Sequence, residues 1–282
     1  MLMSKSPKSD QSLWPARLSI DFFSDTTNQS KTLLSHLHRG PLRIQKALYP
    51  EGPDPCHAII VHPPGGIAGG DHLEIALTVQ SAAAAVITTP GAAKWYGSSN
   101  IAAAQSIELT VHGDLEWLPQ EAIIFNQSLG NSLIKVNLAP ESRMIGWDGI
   151  VFGRTASGET FSSGHFSQSI CLSFEGQLEW EERLSLSGVD PAQDSAVGLA
   201  GNPAVSTLWA VLREGDQWAE EEQNEIRRQC PELAWTALSS RLLVGRQRGM
   251  SRALQQARLK AWTILRPRVM NRPALSLRIW AT

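Results

Sequence analysis

Alternation of apolar and polar residues with a period of two recurs along nearly the whole chain, and it restricts the fold more than any other feature. From Ala16 to Phe23, Leu18, Ile20 and Phe22 share one face against Arg17, Ser19 and Asp21. Starting at Asp71, Leu73, Ile75, Leu77 and Val79 alternate in the same way against His72, Glu74, Ala76 and Thr78. Further strand patterns cover residues 42–48, 58–61, 82–89, 106–112, 115–118, 133–138, 143–152, 169–174, 177–186, 206–213 and 234–244, with a short strand or helical turn at 32–37. Strands at intervals of about ten residues, joined by Gly, Asn and Ser turns, predict antiparallel layered β architecture or a coiled β stack rather than βαβ units. Two helices are expected towards the C-terminal half. Residues 216–229 place acids early and arginines late, as the helix dipole prefers, and end at Pro231. Residues 251–265 carry an apolar stripe of Leu254, Ala257, Ala261 and Leu265, with Pro267 expected to end the run.

The 282 residues suffice for a substantial core, and 42% hydrophobic with 18% charged residues is a globular composition. Residues 1–15 read as a flexible leader and 16–282 as a single β-rich domain. No run reaches the roughly 18 apolar residues of a membrane span. Three scattered cysteines, Cys56, Cys171 and Cys230, argue against a disulfide framework and point to a reducing, cytoplasmic home. The net charge of −2 conceals an asymmetry: beyond Glu232 there are ten cations and no acid, so the first 232 residues carry −12. That basic segment suits an acidic partner or else balances the domain's own charge. No nucleic-acid-binding motif accompanies it.

The densest concentration of unusual backbone lies between His57 and Asn100. Pro63 and Pro64 stop one strand, and Gly65, Gly66, Gly69 and Gly70 follow, each free to adopt positive φ. Asp71 then stands at the mouth of the next strand, and Thr88-Thr89-Pro90-Gly91 ends the one after it. A nucleotide site is unsupported, since no Gly-Lys-Ser/Thr follows and the glycines do not precede a helix. Cys56, His57, His62, Asp71 and His72 form a nickel- or zinc-like ligand set in composition, but their spacing fits no closed zinc module. They stand as weak alternative ligands. His36 and His38 share a strand face, which more often means surface than metal. No G-x-S-x-G or H-E-x-x-H is present, and nothing links Ser and His into a triad.

Two carboxylates lie in apolar strand registers. Asp148 shares its face with Met144, Gly146, Ile150 and Phe152, and Glu182 falls in register with Leu178, Trp180, Leu184 and Leu186. A buried carboxylate costs several kcal/mol unless paired, hydrated or cation-bound. Pairing with Arg154 or Arg183 is one solution, and a hydrated internal passage lined by acids is the other.

The blocks LYPEGPDPCHAIIVHPPGGIAGGDHLEI, ITTPGAAKWYGSS, LEWLPQEAIIFNQS, WDGIVFGRTASGETFSSG, ERLSL and LRIWAT together resemble the UreD (UreH) urease accessory proteins from about Leu18 to the end. The resemblance implies a mostly β fold of two stacked sheets with a helical-turn, β-helix-like character and a pair of helices. It also implies a non-enzymatic nickel-insertion chaperone that binds UreF and the GTPase UreG on apo-urease, as a dimer of heterodimers through UreF. No tightly bound cofactor is expected, only transient Ni²⁺ in an internal tunnel. The tunnel acids map to Asp71, Asp148 and Glu182, with His62, Gly65, Gly66, Gly69, Gly70, Thr88 and Thr89 lining the passage or shaping its loops. Two departures stand out: Ala93 replaces a usual hydroxyl residue, and Gly97 a usual arginine. A pure docking scaffold for UreF and urease is the alternative function. A metal-dependent hydrolase or a nucleic-acid binder has no supporting motif.

Overall fold

The computed structural model describes residues 14–25, 27 and 31–281. The leader expected over residues 1–15 lies outside these, apart from its last two residues. Seventeen strands form among the described residues. The first four are β1 (Trp14–Asp25), β2 (Lys31–Arg39), β3 (Arg43–Leu48) and β4 (Cys56–Val61). A coiled section follows, with β5 (Asp71–Val79), β6 (Ala84–Thr88), β7 (Ala93–Trp95), β8 (Ala103–Val111), β9 (Asp114–Leu118), β10 (Ala122–Ile124), β11 (Leu129–Leu138), β12 (Arg143–Phe152) and β13 (His165–Phe174). The chain then adds β14 (Gln177–Ser187), β15 (Ala204–Val211), α1 (Glu220–Gln229), β16 (Ala234–Ala237), β17 (Leu242–Gly249) and α2 (Ser251–Met270).

Along the coiled section the chain passes back and forth between two sheets, so that each coil stacks on the one before. The first sheet runs β14-β13-β11-β8-β5-β1-β2. The second runs β16-β17-β15-β12-β9-β6-β4-β3, with β10 joining β7 and β12 at its side. Within the coil all neighbours are parallel: β5 with β8, β8 with β11 and β11 with β13 in one sheet, β4 with β6, β6 with β9 and β9 with β12 in the other. The outer strands pair antiparallel, as in β1 with β2, β13 with β14 and β12 with β15. Of the two architectures that the alternation allowed, the coiled β stack is therefore the one adopted, closed at its ends by antiparallel strands.

Parallel stacking puts equivalent side chains on top of one another. Ile75, Ile107, Ile134 and Ile170 form one ladder between the sheets, and Leu77, Leu109, Val136 and Leu172 the next. All eight are buried, and burial of each such side chain contributes about 1.5–3 kcal/mol. A second apolar layer lies between the other face of the second sheet and the helices, where Trp147, Leu208, Leu243, Trp218, Ala261 and Leu265 meet.

Three expectations need correction. Residues 234–244 divide into β16 and β17, which pair with each other. Helix α1 starts at Glu220 rather than 216, because Trp218 is buried with its indole N–H on the Arg241 carbonyl (2.9 Å) and Glu222 accepts from the Ala219 N–H (3.1 Å). Pro267 does not end α2, which continues to Met270. The last turn buries Val269 and Met270 beside Arg266, and this packing outweighs the hydrogen bond that proline removes. The charge of the basic C-terminal segment is largely met within the chain: Arg246, Arg258, Lys260, Arg266, Arg268 and Arg272 all pair with its own acids.

Candidate functional site

One rung of the interior departs from the aliphatic pattern. Two residues before the isoleucine ladder, the register aligns Leu73, Gln105, Ser132 and Gln168. Opposite them on the second sheet stand Trp117 and Asp148. A cavity of about 320 Å³ opens beside this rung. Its inner wall holds Gln105, Ser132, Trp117, Asp148 and Gln168, while His62, Gly65, Gly66, Thr89 and Lys94 line it from the glycine-loop side. A second cavity of about 240 Å³ is lined by Glu182, Thr207 and Arg246. Asp148 and Gln168 belong to the walls of both.

Asp148 is withdrawn from bulk solvent yet keeps a partly accessible face towards the cavities. Its Oδ2 accepts from Gln168 Nε2 (2.8 Å) and its carbonyl from the Ser206 hydroxyl (2.8 Å). Burial pushes the carboxyl up from 3.8 to about 6, against the pull of the Gln168 hydrogen bond and the Arg258 charge. Arg258, on α2, is itself buried; Nη1 donates to the Ser206 hydroxyl (3.2 Å) and Nη2 to Glu121 (3.4 Å), and burial lowers its pKa. Gly149 admits this guanidinium, because a Cβ there would lie 2.0 Å from Nη1. Cross-strand pairing sets Asp148 opposite Thr207, and Thr207 opposite Arg246. From the facing sheet Glu182 joins this row, accepting from the Thr207 hydroxyl and from Arg246 Nε.

Asp71 has a different place. Its Oδ2 accepts from the Ala68 N–H (2.8 Å) and so closes the glycine loop, and it lines neither cavity. It lies near His62, where burial lowers the imidazole pKa and the Asp71 charge opposes that shift. The four loop glycines serve two purposes. Gly65 and Gly70 have φ of +79° and +91°, whereas Gly66 and Gly69 permit close approach, a Cβ falling 2.3 Å from the Tyr96 ring and from Ser98 Oγ respectively. Thr89 lines the first cavity, but the buried Thr88 hydroxyl donates to the Leu118 carbonyl (2.7 Å) and accepts from Trp280 Nε1 (2.9 Å).

The alternative ligand set is not assembled. Cys56 is buried, with its thiol pKa pushed up by burial. His57 bonds Glu51 (2.7 Å), and His72 lies 3.7 Å from Glu74 on the half-exposed face of β5. Among the described residues, no group of three or more His, Cys, Asp or Glu side chains is disposed to hold a metal. His36 and His38 do share a face, with rings 6.1 Å apart on an exposed part of β2. The arginines expected beside the buried acids pair elsewhere, Arg154 with Glu159 and Arg183 with Glu181; Gln168 and Arg246 take those places.

Sequence reasoning missed Gln168, Thr207, Arg246 and Arg258. Arg258 carried a signal, since it falls four residues after Leu254 on the apolar stripe of α2. The same spacing marks Arg266, fully buried eight residues later, which bonds Glu116 (2.9 Å) and Glu51 (2.7 Å). Trp262 Nε1 donates to Glu116 (2.6 Å), and this network fastens α2 to the second sheet.

The profile of the UreD urease accessory protein family matches residues 15–281. The urease accessory protein UreD of Janthinobacterium sp. (strain Marseille) is 43% identical over 277 residues, covering 95% of this chain and 91% of that protein. Its counterparts from Dechloromonas aromatica (strain RCB) and Pseudomonas fluorescens (strain Pf0-1) are 40% and 41% identical, each alignment covering 95% of both chains. Matched from the first strand to the C-terminal segment, the chain belongs to the UreD family of urease accessory proteins.

Proposed function

We propose that this protein is a non-catalytic factor of urease maturation that assembles with UreF and the GTPase UreG on apo-urease in the cytoplasm and lets Ni²⁺ pass through its interior towards the urease active site. The observation that carries this reading is the position of Asp148, one carboxylate standing in the walls of two cavities. A single acid supplemented by amide and hydroxyl oxygens binds a hydrated divalent ion weakly, so the ion can leave again; a Cys/His cage would retain it. Glu182 offers the next carboxylate on the far side. His62 and Thr89 stand on the loop side of the first cavity, and Asp71 shapes that loop.

The test compares Asp148→Asn, Glu182→Gln and the double variant for co-purification with UreF and UreG and for nickel incorporated per urease. Conduction predicts intact assembly with reduced nickel. Undiminished nickel in Asp148→Asn or in the double variant would refute it.

The bonds from Arg246 and Thr207 to Glu182 favour a second reading, in which the acid is structural and the protein only docks UreF and urease. That reading predicts that nickel incorporation falls only in variants whose co-purification also falls.

A further inference from the structure

The rung that interrupts the aliphatic ladders is neutral. Gln105, Ser132 and Gln168 occupy the same register on β8, β11 and β13, so neighbours are spaced by about 4.8 Å across the strands, along the coil axis. All three line the first cavity, and Gln168 alone continues into the second. Ser132 and Gln168 are 4% and 8% exposed. Across the cavity Trp117, 2% exposed, has an indole N–H without a hydrogen-bond partner among the described residues. A buried donor in a polar cavity is satisfied by the oxygen of a water or of a hydrated ion.

Gln168 meets Asp148 through nitrogen, with Nε2 donating to Oδ2 at 2.8 Å. An amide N–H cannot coordinate a cation, whereas the amide oxygen can. A divalent ion arriving at Asp148 repels the N–H dipole and attracts Oε1. A half-turn about the last side-chain torsion exchanges the two without moving the backbone.

Resting on the nickel-route reading above, we propose that Gln105, Ser132 and Gln168 form a neutral relay along the coil axis, and that Gln168 is the gating ligand between the two cavities. With the cavity empty its amide nitrogen holds the Asp148 carboxylate. As the ion crosses, the amide presents oxygen instead and gives the carboxylate a neutral co-ligand. Keeping the charge count at one is what lets the ion leave, since cation affinity rises steeply with the number of ligating carboxylates. Gln168→Glu therefore converts a relay into a trap. Retention in Gln168→Glu reads the effect of a second carboxylate at this point, and delivery in Gln168→Met reads the loss of the amide oxygen itself.

The experiment uses the full chain co-expressed with UreF and UreG, carrying Gln168→Glu, Gln168→Met or Asp148→Asn. Two quantities are measured: Ni²⁺ retained by the purified complex after dialysis against nickel chloride, and nickel incorporated per urease. Gln168→Glu is expected to retain at least about tenfold more Ni²⁺ than the wild-type complex while delivering about tenfold less. Gln168→Met is expected to retain no more than wild type and to deliver about tenfold less. Wild-type retention in Gln168→Glu, which keeps a polar side chain of the same length and so decides the matter if the methionine variant folds poorly, overturns the relay. So does wild-type delivery in Gln168→Met. If Asp148→Asn lowers delivery while both Gln168 variants behave as wild type, only the relay falls. Wild-type delivery by Asp148→Asn overturns the route and the relay together.

Discussion

Replacing Asp148 by asparagine should make the protein more stable at neutral pH. The folded carboxyl sits at about 6 instead of 3.8, and a rise of roughly two pKa units corresponds to about 3 kcal/mol between the two protonation states. The sign follows from proton linkage. Below about pH 3.8 the group is protonated in both the folded and the unfolded chain, and it costs nothing. Between 3.8 and 6 only the folded chain holds the proton, so stability falls as pH rises. Above 6 both forms are ionised and the full penalty remains. Water reaching the accessible face of the carboxylate screens part of it, leaving about 1–3 kcal/mol. Asparagine fits the site with no charge to bury, and its oxygen can still accept from Gln168. Denaturant unfolding of both proteins from about pH 4.5 to 7.5 measures the difference. The advantage of Asp148→Asn should be largest at the alkaline end and shrink by up to about 2 kcal/mol at the acidic end. A variant no more stable than wild type near pH 7.5, or an advantage independent of pH, would refute the account of a carboxylate held against its own desolvation. Paired with a loss of nickel delivery, the expected result would mean that the acid is retained at the expense of the fold.

Arg266→Ala should destabilise the protein by about 3–5 kcal/mol in denaturant unfolding, because it leaves Glu51 and Glu116 without their buried partner; adding Glu51→Gln and Glu116→Gln should recover much of that loss. Glu51 has its carboxyl lowered from 4.5 to about 2: burial pushes it up, and hydrogen bonds from His57 and Arg266 more than reverse this. Its contribution of about 3 kcal/mol is therefore present above pH 4.5 and lost as pH falls towards 2, so Glu51→Gln should flatten the acid limb of the stability profile. Gly146→Ala should cost about 1–3 kcal/mol, since the added Cβ would lie 2.4 Å from the fully buried Trp209 ring, while Gly91→Ala, with open space around it, should be close to neutral. Nickel delivery through Asp148 should fall as pH drops through about 6, where a proton competes for the carboxylate, and transfer assays across that range would detect a flat profile if the acid is not on the route.

Most strands could be read from the sequence because alternation against a buried face is a local property. Asp71–Val79 and Arg143–Phe152 match their expected limits to the residue. The three-residue strands β7 and β10 could not be read, since they are too short to display a period. Parallel pairing was equally hidden, because the same alternation serves either strand direction. The coils are also unequal in length: the register residues His72, Ala104, Asn131 and Ser167 lie 32, 27 and 36 positions apart, so no fixed repeat was visible. For the site, Asp148 and Glu182 were readable as acids in apolar strands. Glu116, between Leu115 and Trp117, carries the same signal. The partners were beyond reach. Gln168 and Arg246 meet these acids from residues 20 and 64 positions away in sequence, and nothing local encodes such pairings.

The buried ion network on α2 has a bearing on how the protein is made. Coils of parallel strands can be laid down one upon another as the polypeptide emerges, each new turn finding its template already in place. Glu51 and Glu116 cannot be completed that way, because Arg266 follows them by 215 and 150 residues. Until that helix docks, a nascent chain carries two carboxylates without their guanidinium and an uncovered apolar sheet face, the kind of half-finished species that aggregates or is captured by folding helpers. The final helix thus acts as a keystone, and damage to it should be felt during biosynthesis more severely than in the mature protein.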